Sequence, residues 1–215
     1  MKKITRILTL CLALVMTIGL LTGCESMEER IANLSSVWTT VTNETEEDAR
    51  AVLESMELYE EEIALVDLTT LKCVKLVEFR TDKTYRFSYD VEATKDLLRQ
   101  YFETMFDSLY EGRTTLNAVY ETEFDNVTKE EFLDFYAALY GAESGTEIVD
   151  LFVDSAYNYD KMGADWETGT YTLKFNQIMC TIDGKTEAEA LGYAIEADTL
   201  TLTYVDAVET YTRSK

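Results

Sequence analysis

Histidine and proline are absent from this chain of 215 residues, so any chemistry falls to 41 Asp and Glu, 19 Lys and Arg, 14 Tyr and 4 Cys. Without imidazole there is no everyday general base, no Ser-His or Cys-His nucleophile and no commonest metal ligand. Most familiar hydrolase mechanisms are excluded with it. Glu44, Glu46, Glu47 and Asp48 are dense enough to gather a calcium ion, which takes about six to eight oxygen ligands. The D-x-D-x-D-G loop that would cage it is missing, and the same residues suit a helix N-terminus, whose partial positive charge favours acidic groups. Asp154, Asn158, Asp160 and Asp165 gather oxygens in a loop-like stretch before Trp166, at irregular spacing that also fits a loop needing only water. Glu60-Glu61-Glu62 reads as a solvated helix face. No carboxylate pair for glycoside chemistry stands out among so many acids. We expect no catalytic residue, no metal site and no cofactor.

The cysteines carry the remaining chemistry. Cys73 and Cys180 both sit in apolar runs, Leu71-Lys72-Cys73-Val74 and Ile178-Met179-Cys180-Thr181-Ile182. Two readings stay open: buried small hydrophobes with free thiols, or a disulfide joining Cys73 to Cys180 in an oxidising compartment. Without a histidine partner or a C-x-x-C spacing, a catalytic thiol is not expected.

The elements that position these residues follow from periodicity. Leu34 to Val41, with its β-branched residues and Trp38, reads as a first strand after a short leader. Residues 43–67 read as one amphipathic helix, with Thr45 and Asp48 as a capping pair and Ala49, Val52, Leu53, Met56, Tyr59, Ile63 and Val66 on one face. Leu71–Phe79 and Thr84–Tyr89 form a hairpin around Arg80-Thr81-Asp82-Lys83. From Asp90 the period returns to helical, with a stripe from Leu97 to Leu109 that stops at Gly112. Residues 113–125 lean towards helix. Thr128-Lys129-Glu130-Glu131 caps a further helix that stops at Gly141, and another runs from Glu147 to about Tyr157. The aromatic stripe Tyr101, Phe102, Phe106, Phe132, Phe135, Tyr136 and Tyr140 reads as core, with a ligand mouth over a barrel as the alternative.

From Trp166 the chain is β. Tyr171, Leu173 and Phe175 alternate on odd positions and Ile178, Cys180 and Ile182 on even ones, so a turn or bulge falls near Asn176-Gln177. Asp183-Gly184 signals a two-residue hairpin. Residues 186–195, 199–205 and 208–213 complete a meander. About eight strands result, the number that closes a small barrel. The fold class is α+β: an antiparallel barrel of about eight strands with a helix after the first strand and a helical insertion at about 91–160.

The N-terminus carries a resemblance. Lys2, Lys3 and Arg6 precede an apolar run from Ile7 to Leu21, too short to span a bilayer and suited to a signal peptide. It ends Leu21-Thr22-Gly23-Cys24, which resembles the lipobox of bacterial lipoproteins. The resemblance implies cleavage after residue 23 and acylation of Cys24, which would become the new N-terminus. Two buried acyl chains suffice for stable anchoring. The domain organisation is then a signal peptide at 1–23 and a single domain at 24–215, held on the extracytoplasmic face of the cell membrane. Without residues 1–23 the basic residues fall from 19 to 16 against 41 acidic ones.

Phe79-x-x-Asp82-x-Thr84-Tyr85-x-Phe87, Gly169-x-Tyr171, Asn176-x-Ile178, Tyr193-x-Ile195, Asp198-Thr199-Leu200-Thr201-Leu202 and Tyr211-Thr212-Arg213, following Leu34-x-x-x-Trp38, resemble the small lipocalin-like domains of lipoproteins in Gram-positive anaerobes. Architecture of that kind implies binding of a small apolar or amphiphilic ligand inside the barrel, with Trp38 plugging the closed end. The alternative is an interaction protein with a filled barrel, presenting its acidic surface to a basic envelope protein. A net charge of −22 repels nucleic acid, so no nucleic-acid partner is expected.

Overall fold

The computed structural model describes residues 25–214, so residues 1–23, read above as a signal peptide, and Cys24 lie outside the described residues. The chain divides into two compact units. Of the described residues, one holds 25–40, Leu76–Ser88 and 165–214; the other holds Val41–Lys75 and Tyr89–Ala164. The expected insertion at about 91–160 is thus part of a larger helical unit, which also takes the segment after the first strand. Each unit builds its own hydrophobic cluster.

The barrel is closed, with eight antiparallel strands in sequence order: β1 (Ser36–Asn43), β2 (Lys72–Phe79), β3 (Thr84–Tyr89), β4 (Glu167–Lys174), β5 (Gln177–Ile182), β6 (Glu189–Glu196), β7 (Thr199–Thr203) and β8 (Val208–Arg213). Closure comes from β1 on β8, with Trp38 opposite Arg213 and Thr39 opposite Thr212. This is the closed eight-stranded α+β barrel that alternation predicts, and its architecture is lipocalin-like, as the resemblance implies. Tyr171, Leu173, Ile178, Cys180, Leu200 and Leu202 do point inward, all buried. Burying each such apolar side chain contributes roughly 1.5–3 kcal/mol, and closure leaves no edge to aggregate. Gly169 is required by the close approach of β4 and β5: a Cβ there would stand 2.2 Å from the Thr181 carbonyl oxygen.

Two turns differ from the reading of the sequence. β4 stops at Lys174, so Phe175 is not an inward strand residue but the first residue of a two-residue turn, with φ +50° and its side chain 89% exposed. Asp183-Gly184 does turn the chain, with the Lys185 N–H on the Ile182 carbonyl, but pairing resumes only at Glu189, opposite Cys180. Gly184 sits at φ +82°, where a side chain would be strained.

In a barrel of this order the connections alternate between its ends. The helix α1 (Met27–Leu34), the Arg80–Lys83 turn, the Phe175-Asn176 turn, the Ala197-Asp198 turn and the end of β8 share one end. The residues read as a leader are this helix, opened by a reciprocal cap between Ser26 and Glu29.

The helical unit contains α2 (Glu46–Ser55), α3 (Glu60–Ile63), α4 (Val91–Glu111), α5 (Asn117–Tyr120), α6 (Lys129–Tyr140), α7 (Ile148–Ala156) and α8 (Tyr159–Met162). The single helix expected over 43–67 is broken. Glu57 takes φ +64°, the Leu58 N–H reaches back to the Leu53 carbonyl and the Glu57 N–H to that of Glu54. That pattern is a helix stop made without glycine, so no residue type announces it. Residues 113–125 are helical only to Tyr120, as one 3-10 turn and α5. Gly112 ends α4 at φ −86°, and a Cβ there would press on Leu65 at 2.7 Å; its role is close packing.

Candidate functional site

A ligand of a barrel of this kind would lie in its interior. Trp38, Phe79, Tyr171, Leu200, Leu202, Ile178 and Tyr211 are each at most 1% exposed and fill it. Phe79 meets the Tyr171 ring edge-on at 5.3 Å, a favourable aromatic geometry. The polar tips find partners: the Tyr171 hydroxyl donates to the Arg80 carbonyl at 2.8 Å, and the Tyr85 hydroxyl to Glu167 at 2.8 Å. At the α1 end, Trp38 donates its indole N–H to the Leu34 carbonyl at 2.9 Å, and Arg213 covers its ring at 4.5 Å. Trp38 therefore has the plugging role expected of it.

Two grooves lie on the barrel unit. One, of about 170 Å³, runs between Met27 and Ile31 of α1 and Lys83, Tyr171 and Leu173. The other, of about 240 Å³, is charged, with Arg80 and Arg86 facing Asp82, Asp165 and Asp183. Both are smaller than the pockets of roughly 300–1,000 Å³ that hold drug-sized ligands. The two arginines are engaged by Glu78, at 2.8 and 2.5 Å, and Arg80 first, then Arg86, holds that carboxyl below the usual range.

In the helical unit the aromatic stripe is core. Phe102, Phe106, Phe132 and Tyr136 are at most 1% exposed; Tyr136 meets Phe106 and Phe132, and Phe152 meets Phe102 and Phe106, edge-on or tilted at about 5 to 6 Å. Against Tyr136 lies a buried carboxylate. Glu62 is fully buried, accepting from the Tyr120 hydroxyl at 2.7 Å, from the Tyr136 hydroxyl and from the Tyr59 N–H at 2.7 Å. Glu62 thus departs from the solvated face expected of Glu60-Glu61-Glu62. Glu60 and Glu61 are exposed, while Glu62 stands one turn after Tyr59 and one before Val66. That spacing against the apolar stripe was the available signal. Burial, then the neighbouring Glu62, raises the Tyr136 hydroxyl far above its ordinary range, so it stays a donor.

The other candidates have ordinary partners. Thr45 caps α2, and Glu46, Glu47 and Asp48 occupy its first turn, where the helix dipole favours them. Asp154 takes the Lys95 ammonium at 3.0 Å, Asn158 caps α8, and Asp165 in the barrel unit pairs with Arg86 at 3.3 Å. Among the described residues no group of three or more His, Cys, Asp or Glu is placed to hold a metal ion. Cys73 and Cys180 are both buried free thiols. Burial, assisted by Glu44, pushes Cys73 up to about 12; burial, assisted by Glu167 and Glu189, does the same to Cys180. Neither is a thiolate at neutral pH, so neither is a ready nucleophile.

Charge is unevenly divided. The helical unit carries 27 Asp and Glu against 8 Lys and Arg, a formal −19. The described part of the barrel unit carries 14 against 7, a formal −7. Within the helical unit Glu54, Glu57, Glu60 and Glu61 are all exposed, and Glu60 pairs with Arg50 at 2.9 Å.

Comparison of the chain with protein-family models, with curated proteins and with solved structures finds no match. Among the described residues no helix is long and apolar enough to cross a membrane.

Proposed function

We propose that this chain is a lipoprotein, anchored through Cys24 on the extracytoplasmic face of the cell membrane, that binds a cationic protein partner through its helical unit. The observation that carries this reading is the formal charge of −19 gathered on the helical unit. A field of that size steers a basic partner and discriminates against acidic ones. The filled barrel weighs against the carrier reading, in which a small apolar ligand lies along the barrel axis. No catalytic role is proposed, because the most distinctive polar centre, Glu62, is closed off by tyrosines rather than presented to a substrate.

The test uses the full chain in uncharged phosphatidylcholine vesicles and an oligolysine peptide as probe. Binding should weaken steeply with salt and fall several-fold when Glu54, Glu57 and Glu61 are replaced by Lys. Replacing the exposed Glu187, Glu196 and Asp206 of the barrel by Lys should change it little. Equal effects from the two sets would mean undirected charge attraction and would overturn the reading. An apolar mass that stays with the chain in native mass spectrometry and leaves on denaturation would restore the carrier.

A further inference from the structure

We infer, on the anchored reading above, that the barrel end carrying α1 rests in the interfacial layer of the membrane, with Phe175 as its inserted side chain. A single exposed apolar residue means little by itself. Here three observations converge on one.

The first is conformational. Phe175 is 89% exposed and holds φ +50°, at a turn position that hairpins fill with Gly, Asn or Asp. Folding gains nothing from a large aromatic there, since it is neither buried nor relaxed. A costly backbone under a solvent-facing apolar ring points to a surface use.

Position is the second. The Phe175-Asn176 turn lies at the same barrel end as α1, and the two are physically linked. The Asn176 carbonyl accepts from the Tyr193 N–H at 3.0 Å, and the Tyr193 hydroxyl accepts from Arg30 of α1 at 2.6 Å. Met27, 47% exposed, lines a groove with Leu173, two residues before Phe175.

Reach is the third. Only two residues, Glu25 and Ser26, lie between Cys24 and Met27, a tether of at most about 11 Å. Acyl chains on Cys24 would therefore hold this end against the headgroups and leave the barrel little freedom to present another face. The charges at this end are of both signs, Glu28, Glu29, Asp82 and Asp198 with Arg30, Arg80, Lys83, Lys174 and Arg213, so the contact is apolar rather than an attraction to anionic lipid.

The test places an environment-sensitive dye on the full chain, in vesicles of phosphatidylcholine and phosphatidylglycerol, through Phe175→Cys or Val205→Cys. Val205 is equally apolar, 92% exposed, and turns the chain at the opposite barrel end. Cys73 and Cys180 are buried and Cys24 is blocked once acylated, so labelling is selective. The dye at 175 should shift to the blue and be quenched several-fold more strongly by spin-labelled lipid than the dye at 205. Equal, water-like spectra at the two positions on a chain whose Cys24 is shown by mass spectrometry to be acylated would overturn the membrane contact and leave the anchor standing. A chain recovered from its own membranes with an unmodified Cys24 would overturn the anchor, and the membrane contact with it.

Discussion

Arg213 lies over Trp38, its guanidinium carbon 4.5 Å from the centre of the indole, and the two residues also face each other across the β1–β8 pairing that closes the barrel. A second contact, from Arg213 to the Asn33 carbonyl at 3.0 Å, ties the same side chain to the end of α1. One arginine therefore links the closing strand, the plug and the helix over it. Arg213→Ala should cost about 1–2 kcal/mol, from a lost cation–π contact and a lost hydrogen bond. Trp38→Ala should cost more, about 3–5 kcal/mol, through the cavity it leaves. Urea unfolding followed by near-ultraviolet circular dichroism reads both, and an Arg213→Ala midpoint at the parent value would show that the stacking contributes nothing.

The buried Glu62 makes a graded prediction. Glu62→Ala strands the Tyr120 and Tyr136 hydroxyls and the Tyr59 N–H, and should cost about 3 kcal/mol or more. Glu62→Gln keeps an acceptor and should cost less, about 1–2 kcal/mol. Equal losses in chemical denaturation would mean that volume, not hydrogen bonding, is what the site needs.

The two thiols report on burial and on pH. At pH 8 the native chain should leave Cys73 and Cys180 unreacted with a thiol-specific disulfide reagent, and both should react once urea unfolds it. Their ordinary value is 9.0 and the folded value about 12, so between these the folded state binds the more protons. Stability should therefore fall as pH rises from about 9 to about 12. Replacing both cysteines by Ala should remove part of that alkaline loss; an unchanged slope would assign it to the buried tyrosines alone.

Phe175→Asn should stabilise the chain while weakening its membrane contact. Asn tolerates the left-handed backbone at φ +50° and no packing is lost, so a gain of up to about 1 kcal/mol is expected. Thermal unfolding beside the vesicle measurement separates the two effects. A less stable variant would mean that the ring packs on the barrel after all.

Much of the architecture was legible in the residues. Tyr171 and Leu173 followed by Ile178 and Cys180 announce two strands and a change of parity between them, because a pleated strand alternates its side chains whatever surrounds it. Thr128 with Glu131 announces a helix start, because the cap bonds only within its own first turn. Glu57 shows the limit. Its helix stop is enforced by where Leu58 must be buried, and nothing in the local sequence marks it.

The chemistry divides in the same way. Absence of histidine, the acidic excess and the Leu21-Thr22-Gly23-Cys24 run are properties of composition and short spacing, and the sequence by itself determined them. Tertiary structure decided that Glu62 is enclosed by tyrosines far along the chain, that Cys73 and Cys180 are free and buried, and that Phe175 faces outward. It also decided that the barrel axis is filled. Alternation tells which side of a strand faces in, whereas the space left inside depends on how side chains from all eight strands meet, a volume that no local pattern encodes.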